Sequence, residues 1–180
     1  MDYATLATYE NPDYSDVNRY SDMTQKTVTA STQKEDAVVI QNKFGTLQFE
    51  ADQFITFAQG LIGLTEFTRF GLSSMPNAAA ANNFRILQSL EEKNLSFIVF
   101  PTTAKTALLE ASDVASLCNT FSIAEDDLLL LHIVTVREMF GKVQMTLNVK
   151  APIVIDASKR TAQQYVLPSN KYDIQVPLAA

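Results

Sequence analysis

Short apolar segments separated by turn residues dominate this chain of 180 residues from Ala37 onward. They recur at intervals of about 8 to 12 residues, a spacing typical of an all-β sandwich or barrel. Residues 148–167 have the clearest pattern, because two β-type segments there flank a polar turn. The sequence therefore predicts a mainly β fold, a single antiparallel barrel-like or sandwich domain over residues 37–180 with about ten short strands and one short helix.

Most connections in this domain are predicted to be local turns, which favours pairing of sequence neighbours in a meander. Residues 128–137 are apolar on both faces at their start and indicate a central strand covered on both sides. Ser112 and Asp113 predict the N-cap of the helix. Pro152 marks a bulge, a strand start or an edge, and residues 76–83 a loop or one helical turn. The predicted strands cover residues 38–40, 46–49, 54–57, 69–73, 84–89, 95–100, 128–137, 143–149, 153–155, 162–167 and 172–176.

The first 36 residues differ in composition from the rest of the chain. They contain seven acidic and three basic residues, so four of the six net negative charges lie there. Leu6, Val17 and Val28 are their only branched aliphatic side chains. Such a segment cannot bury enough apolar surface to offset its ordering entropy, which predicts a disordered acidic extension over residues 1–36. Tyrosines recur in it about every five to six residues, which leaves a docking motif open.

Charge and residue types argue against several classes of function. A formal net charge of −6 does not suit a protein that grips phosphate backbones, which requires clustered Lys and Arg. The adjacent pair Lys159 and Arg160 is interpreted as a solvated hairpin tip. Cys118 is the only cysteine and fits a reducing compartment. No secretory signal is evident, and the apolar run 128–136 is too short to cross a bilayer. We expect a soluble cytoplasmic protein that contacts neither nucleic acid nor membrane.

No set of side chains in the sequence assembles a catalytic site. His132, the only histidine, lies in the most apolar segment, which favours a buried core histidine over a general base. Cys118 fits a buried small hydrophobe, and residues 125–127 do not match the spacing of a calcium loop. Gly60 and Gly63 lack the G-K-[ST] signature of a phosphate loop. The sequence predicts no enzyme, no cofactor and no metal site.

Two features of the predicted domain suit recognition of a partner. Gly60 and Gly63 indicate a tight bend, which we expect to shape a partner-facing loop. Asn148 and Gln164 are uncharged polar residues in otherwise apolar strand segments, on either side of Pro152. Asn148 could cap a bulge by bonding nearby backbone groups or could contact a partner directly, and the sequence leaves both interpretations open.

Taken together, these segments resemble the bacterial flagellar assembly factors of the FliW family. The similar region covers roughly residues 39–178, and the order and spacing of its motifs make the resemblance specific. The motifs are F-G-T-L at 44–47, I-T-F at 55–57, G-L-I-G-L at 60–64, L-Q-S at 87–89, F-I-V-F-P at 97–101, N-V-K-A-P-I-V-I-D at 148–156, Arg160, Q-Y-V-L at 164–167 and Tyr172.

The chain also departs from the usual pattern of that family. The family usually has F-P-E-G-L-P-G-F at residues 57–64. Ala58, Gln59, Ile62 and Leu64 replace its two prolines, an acid and an aromatic. Gln175 stands where an arginine is expected shortly after the C-terminal tyrosine. These departures do not affect the resemblance of the fold. We expect them to change how tightly the loop binds a partner.

The resemblance implies a protein without catalytic activity that acts through protein partners. Members of the family bind CsrA, a small dimeric RNA-binding regulator, at a site away from its RNA surface and relieve its repression of flagellin mRNA. They also bind flagellin, so free flagellin competes for the factor. The residues that we expect to bind partners are Gly60, Leu61, Gly63, Leu64, Asn148, Lys150, Pro152 and Gln164.

Two other functions remain as alternatives. A secretion chaperone would bind flagellin alone, and binding of a CsrA-type regulator would distinguish it from the first function. A small-ligand-binding barrel would need an interior cavity lined by convergent polar groups. The positions predicted to point inward are instead large and apolar, which favours a filled interior. They are Val99, Leu130, Ile133, Leu147 and Ile155.

Overall fold

A computed structural model of the chain describes residues 37–75, 83–139 and 141–178. These residues form a mainly β fold with one α-helix, which confirms the predicted class. The predicted extension over residues 1–36 and most of the loop predicted at 76–83 lie outside the described residues. The strands are β1 (Val38–Asn42), β2 (Gly45–Phe49), β3 (Phe54–Phe57), β4 (Arg69–Ser74), β5 (Arg85–Ser89), β6 (Ser96–Thr103), β7 (Leu128–Met139), β8 (Lys142–Leu147), β9 (Ile153–Asp156), β10 (Thr161–Gln164) and β11 (Val176–Leu178). The α-helix, α1, is Ala111–Phe121, and short 3₁₀ helices cover Ala51–Gln53, Ala104–Thr106 and Glu125–Asp127.

Seven of the strands close into a barrel. Strands β3 to β7 pair antiparallel in sequence order, and β9 pairs with β7 and β10. The barrel closes where β10 lies parallel to β3, with Thr161 opposite Thr56. The Arg160 carbonyl extends this contact by accepting a hydrogen bond from the Thr56 N–H at 2.9 Å. The predicted meander is therefore wrong after β8, because β9 turns back to β7 and closure leaves the barrel wall without a free edge.

Strands β8 and β11 extend the sheet beyond the barrel wall. β8 pairs with the outer half of β7, and β11 pairs with β8. The strand predicted at residues 172–176 is wrong, because ladder pairing starts only at Val176. The Tyr172 hydroxyl instead bonds to the start of α1, and the Asp173 carbonyl accepts two N–H groups from the segment before β9. These bonds hold residues 172–173 outside the sheet.

The interior of the barrel is filled by apolar side chains from all seven of its strands. Phe57 and Phe70 lie at its centre, with ring centroids 4.8 Å apart. Val99 and Ile155 are buried there as predicted, and Ile133 packs against them. Leu130 and Leu147 were also predicted to point inward, but they belong to a second core outside the barrel wall. Successive residues of a strand face opposite sides, so Leu130 points away from the side that Leu129 and Leu131 fill.

The second core lies between the outer barrel wall and α1. Val114 and Leu117 of the helix are buried in it, together with Leu130, Leu147 and Val154. β7 is thus covered on both faces, as predicted. The helix begins earlier than predicted, however, because its N-cap is Glu110, and Asp113 lies in its first turn. The Asp113 carboxylate does not cap the helix but accepts the Tyr172 hydroxyl.

The hairpin of β1 and β2 covers another part of the barrel wall and forms a third core. It has the predicted pairing, with Gly45 at a φ of 111° in its turn. Phe49 packs directly on Gly71 of β4, where any side chain would collide with its ring. The buried Gln88 amide accepts a hydrogen bond from Asn42 Nδ2 at 2.5 Å, which ties the hairpin to β5.

Candidate functional site

The glycine bend, residues 60–64, is a tight turn shortly after the end of β3. Gly60 and Gly63 adopt φ angles of 65° and 81°, a region that favours glycine. The Leu64 N–H donates to the Leu61 carbonyl at 2.8 Å and closes the turn. Leu61 points into the barrel interior and is 2% exposed, whereas Ile62 beside it is 61% exposed. The predicted bend is confirmed, and Leu61 anchors it rather than facing solvent.

The two glycines of this bend have different surroundings. A Cβ atom on Gly60 would lie 2.6 Å from the Leu64 carbonyl oxygen, which is a backbone clash that cannot be relieved by a rotamer change. A Cβ atom on Gly63 would meet no atom within 4 Å. Glycine is therefore required at position 60 both because a Cβ atom would clash and because φ is positive. At position 63 only the positive φ requires it.

The asparagine turn, residues 148–152, joins β8 to β9. The Asn148 side-chain Oδ1 accepts the N–H of the buried Ala151 at 2.9 Å, and the Asn148 N–H donates to the Ile133 carbonyl at 2.9 Å. These contacts support the capping interpretation of Asn148. Pro152 is buried and immediately precedes β9, in agreement with a strand start. Lys150 Nζ donates to the Ser169 carbonyl at 2.5 Å, so its ammonium group is held against the segment that follows β10.

Gln164, at the end of β10, joins the glycine bend to the asparagine turn. Its side-chain Oε1 accepts the N–H of Ile62 at 3.1 Å, and its Nε2 donates to the carbonyl of Ala151 at 3.3 Å. Two loops separated by more than eighty residues of sequence are thereby brought to one end of the barrel. The structure thus places the two predicted features side by side, with one amide between them.

His132 lies in the barrel wall behind the asparagine turn and is fully buried. Its Nδ1 lies 3.3 Å from the Asn148 carbonyl oxygen, which can only accept, so Nδ1 carries the proton. Its Nε2 is then the acceptor for the Thr102 hydroxyl at 3.2 Å. Burial lowers the pKa of His132 to about 4, partly offset by the bond to Asn148. His132 is buried in the core, as the sequence predicts, and as a neutral group it supports the turn through its bond to Asn148.

Exposed apolar side chains accompany the bonds of Gln164. Ile62 carries the N–H that Gln164 accepts, and Val166, two residues beyond Gln164, is 52% exposed. Neither Ile62 nor Val166 was among the residues expected from the sequence to bind partners. Alternation along residues 162–167, which the sequence predicts as a strand, could have placed Val166 on the same side as Gln164, but no local signal distinguishes an exposed valine from a buried one.

The predicted partner-binding residues differ in their accessibility. Gly63 is exposed, and Leu64, Asn148, Lys150 and Gln164 are half-buried. Gly60, Leu61 and Pro152 are buried and fix the shapes of the two loops. We name the surface formed by the glycine bend, the asparagine turn, Gln164 and Val166 the loop surface.

The remaining candidates for chemistry lie apart from the loop surface. Cys118 packs against the second core, and burial together with the charge of Glu125 raises the pKa of its thiol, which disfavours a reactive thiolate. Asp156 is buried in the hairpin of β9 and β10, 2.6 Å from Lys159 Nζ. Its desolvation is outweighed by hydrogen bonds from Lys159 and Ser158, which lower its pKa to about 2.

Within residues 37–75, 83–139 and 141–178, no group of three or more His, Cys, Asp or Glu side chains could hold a metal ion. None of the helices in these ranges combines the length and the apolar character that a membrane span requires.

Comparison with known proteins agrees with this architecture. The family model described as FliW protein matches residues 38–178. The flagellar assembly factor FliW of Oceanobacillus iheyensis is 31% identical over 138 residues, which cover 74% of this chain and 88% of the relative. That of Bdellovibrio bacteriovorus is 30% identical over 145 residues, 78% of each chain.

A solved crystal structure of the flagellar assembly factor FliW has the same fold. It superposes with a TM-score of 0.57 at 24% identity and covers 78% of this chain and 94% of that one. The barrel, the sequence motifs on its two end loops and the match over residues 38–178 agree with one another. The chain therefore belongs to the FliW family of flagellar assembly factors.

Proposed function

We propose that this protein is a non-enzymatic assembly factor that binds a CsrA-type translational regulator and flagellin as alternative partners. The observation that carries the proposal is the pair of hydrogen bonds made by the Gln164 side-chain amide. It accepts the Ile62 N–H at 3.1 Å and donates to the Ala151 carbonyl at 3.3 Å. This amide joins two loops into one surface beside two exposed apolar side chains. Exposed apolar groups rimmed by polar ones are typical of protein-binding sites.

The charge of the chain suits antagonism of an RNA-binding partner. Its formal net charge is −6 and its isoelectric point is about 4.7. An acidic protein docked on the regulator beside its RNA surface would repel incoming phosphates, an effect that salt would weaken. In the proposed cycle, flagellin that accumulates in the cytoplasm occupies the factor and frees the regulator to repress flagellin mRNA.

The alternatives differ in how well the described residues support them. A small-ligand-binding barrel would need an interior cavity, but Phe57, Phe70, Leu87 and Leu131 are almost fully buried inside this one. The filled interior disfavours that function. A chaperone that binds flagellin alone would use the same loop surface, so only a binding measurement separates it from the proposal.

The proposal is tested by titrating the full-length chain with purified flagellin monomer and, separately, with a purified CsrA-type dimer. We expect both to bind and each to displace the other. Replacing Gln164 with Ala should weaken binding by up to about thirtyfold, because each loop loses a neutral hydrogen bond worth about 1 kcal/mol. Gln163→Ala is the matched control, since Gln163 lies next to it in β10 with its side chain on the opposite face.

Each outcome of this titration decides between the functions. Binding of flagellin without the regulator would leave the flagellin-only chaperone. Binding of neither partner would contradict both functions. Equal losses of partner affinity in the Gln164→Ala and Gln163→Ala variants would show that the partners bind elsewhere on the molecule.

A further inference from the structure

The segment between β10 and β11 forms a strap, residues 168–175, that crosses from the asparagine turn to the start of α1. At the helix, the Tyr172 hydroxyl donates to Asp113 Oδ2 at 2.5 Å and accepts the N–H of Glu110 at 2.9 Å. Lys171 beside it forms an ion pair with Glu110, with 2.5 Å between Nζ and Oε2. The hydroxyl thus joins the N-cap residue and the first turn of the helix.

The same strap bonds to the asparagine turn at its other side. The carbonyl of Asp173, the residue after Tyr172, accepts the N–H groups of Val149 and Lys150, both at 3.0 Å. Lys150 Nζ donates to the Ser169 carbonyl at 2.5 Å. The main chain of the turn is therefore held from outside the sheet by a segment whose own position depends on Tyr172.

From this chain of hydrogen bonds we infer that Tyr172 is a positioning residue for partner binding. It fixes the strap against α1, and the strap fixes Val149 and Lys150 of the asparagine turn. Tyr172 does not belong to the loop surface and acts on a partner only through the turn. The inference rests on the proposed function for its binding consequence, whereas the coupling between Tyr172 and the turn stands on the contacts alone.

The chemistry of Tyr172 suits this role. A hydrogen bond to a carboxylate is stronger than one between neutral groups. Burial, the bond to Asp113 and the nearby carboxylates raise the pKa of Tyr172 to about 12, which favours the protonated hydroxyl that donates to Asp113. A phenylalanine at this position keeps the ring and loses both the donor and the acceptor.

The first test is amide hydrogen exchange on the full-length chain. We expect Tyr172→Phe to accelerate exchange of the Val149 and Lys150 amides about tenfold, because the acceptor of both loses its anchor. Amides of β5 and β6, across the barrel, should keep their wild-type rates. Tyr165→Phe is the matched control, because the Tyr165 ring also contacts the helix, with its centroid 5.4 Å from that of Phe121.

Two substitutions of Asp113 test the acceptor of the hydrogen bond from the Tyr172 hydroxyl. Asp113→Ala removes the acceptor of the Tyr172 hydroxyl and should accelerate the same two amides. Asp113→Asn retains a side-chain oxygen acceptor and should restore most of the protection. A purely local effect of Tyr172 on its ring packing would not follow this order.

The second test is affinity for flagellin and for the CsrA-type dimer. Tyr172→Phe should weaken whichever partner contacts the asparagine turn about five- to tenfold, and Tyr165→Phe should not. Unchanged exchange at Val149 and Lys150 in a folded Tyr172→Phe variant would overturn the coupling. Accelerated exchange with wild-type affinity would overturn the positioning role.

A failure of the proposed function gives a different result. If the wild-type chain binds neither partner, the binding consequence falls with that function. Faster exchange in Tyr172→Phe and Asp113→Ala would still establish that the strap couples the helix to the turn.

Discussion

At the scale of single residues, polar side chains in and around the asparagine turn form hydrogen bonds with main-chain atoms of that turn. Asn148 accepts the Ala151 N–H, His132 donates to the Asn148 carbonyl, and Gln164 donates to the Ala151 carbonyl. A buried polar group that loses its partner retains the full cost of its desolvation. These residues therefore determine the shape of the loops before any partner arrives.

Asn148→Ala is predicted to lower the free energy of unfolding by about 1–3 kcal/mol, because the buried Ala151 N–H loses its acceptor. Binding should then weaken only as far as the turn is disordered. Asn148→Asp retains the acceptor oxygen and serves as the control. Thermal denaturation and partner affinity are measured on the same protein. Unchanged stability with weaker binding would assign Asn148 to direct partner contact, and unchanged values of both would contradict both interpretations.

His132 is predicted to make stability depend on pH in a defined window. Its pKa is about 4 in the folded chain and about 6.5 when unfolded. As pH falls, the unfolded state takes up a proton at His132 before the folded state does. The contribution of neutral His132 to the free energy of unfolding is therefore fully present above about pH 6.5 and is lost as pH falls toward 4. Between pH 6.5 and 5 the loss amounts to about 2 kcal/mol. Urea denaturation across this window should detect it. His132→Gln should flatten the slope, because the chain has no other histidine.

At the scale of elements, the loop surface is built from connections rather than from strands. Each connection is held by a short-range bond, as in the Leu64 to Leu61 turn, and by a long-range one from Gln164. Loops fixed on a rigid barrel combine variable sequence with a defined shape, which suits recognition. The two glycines of the bend supply the positive φ angles that its turn requires.

Gly63→Val is predicted to weaken partner binding at least several-fold while it destabilises the fold by roughly 1–3 kcal/mol through its positive φ. Gly141→Val is a matched control. Gly141 has a φ of 72° against 81° for Gly63, and a Cβ atom on either would meet nothing within 4 Å. Both variants should lose similar stability, but only Gly63→Val should lose affinity. The bend hypothesis would be contradicted if Gly63→Val and Gly60→Val were both folded and bound partners normally.

At the scale of the whole molecule, three cores share one barrel wall. The interior, the space under α1 and the space under the β1–β2 hairpin are each filled by residues within the described part of the chain. β1 itself begins at Val38. These three cores bury apolar side chains, which stabilises the fold.

Removal of residues 1–36 is predicted to leave the melting temperature within about 3 °C of the full-length value. The physical reason is that this segment contributes few aliphatic side chains, and about 1 kcal/mol corresponds to 2–4 °C in a chain of this size. Calorimetry of residues 37–180 beside the full chain measures the difference. A drop of more than about 5 °C would mean that the segment packs on the domain.

The sequence by itself determined the β class, the β1–β2 hairpin, the glycine bend and the burial of His132. These depend on local features, namely strand spacing, the demand for positive φ and the polarity of neighbouring residues. The tertiary structure alone decided that β10 closes the barrel on β3 and that Tyr172 leaves the sheet for the helix. It also decided that Leu61 is buried while Ile62 is exposed. Strand alternation assigns residues to two faces, but which face becomes the interior depends on pairings between segments distant in sequence.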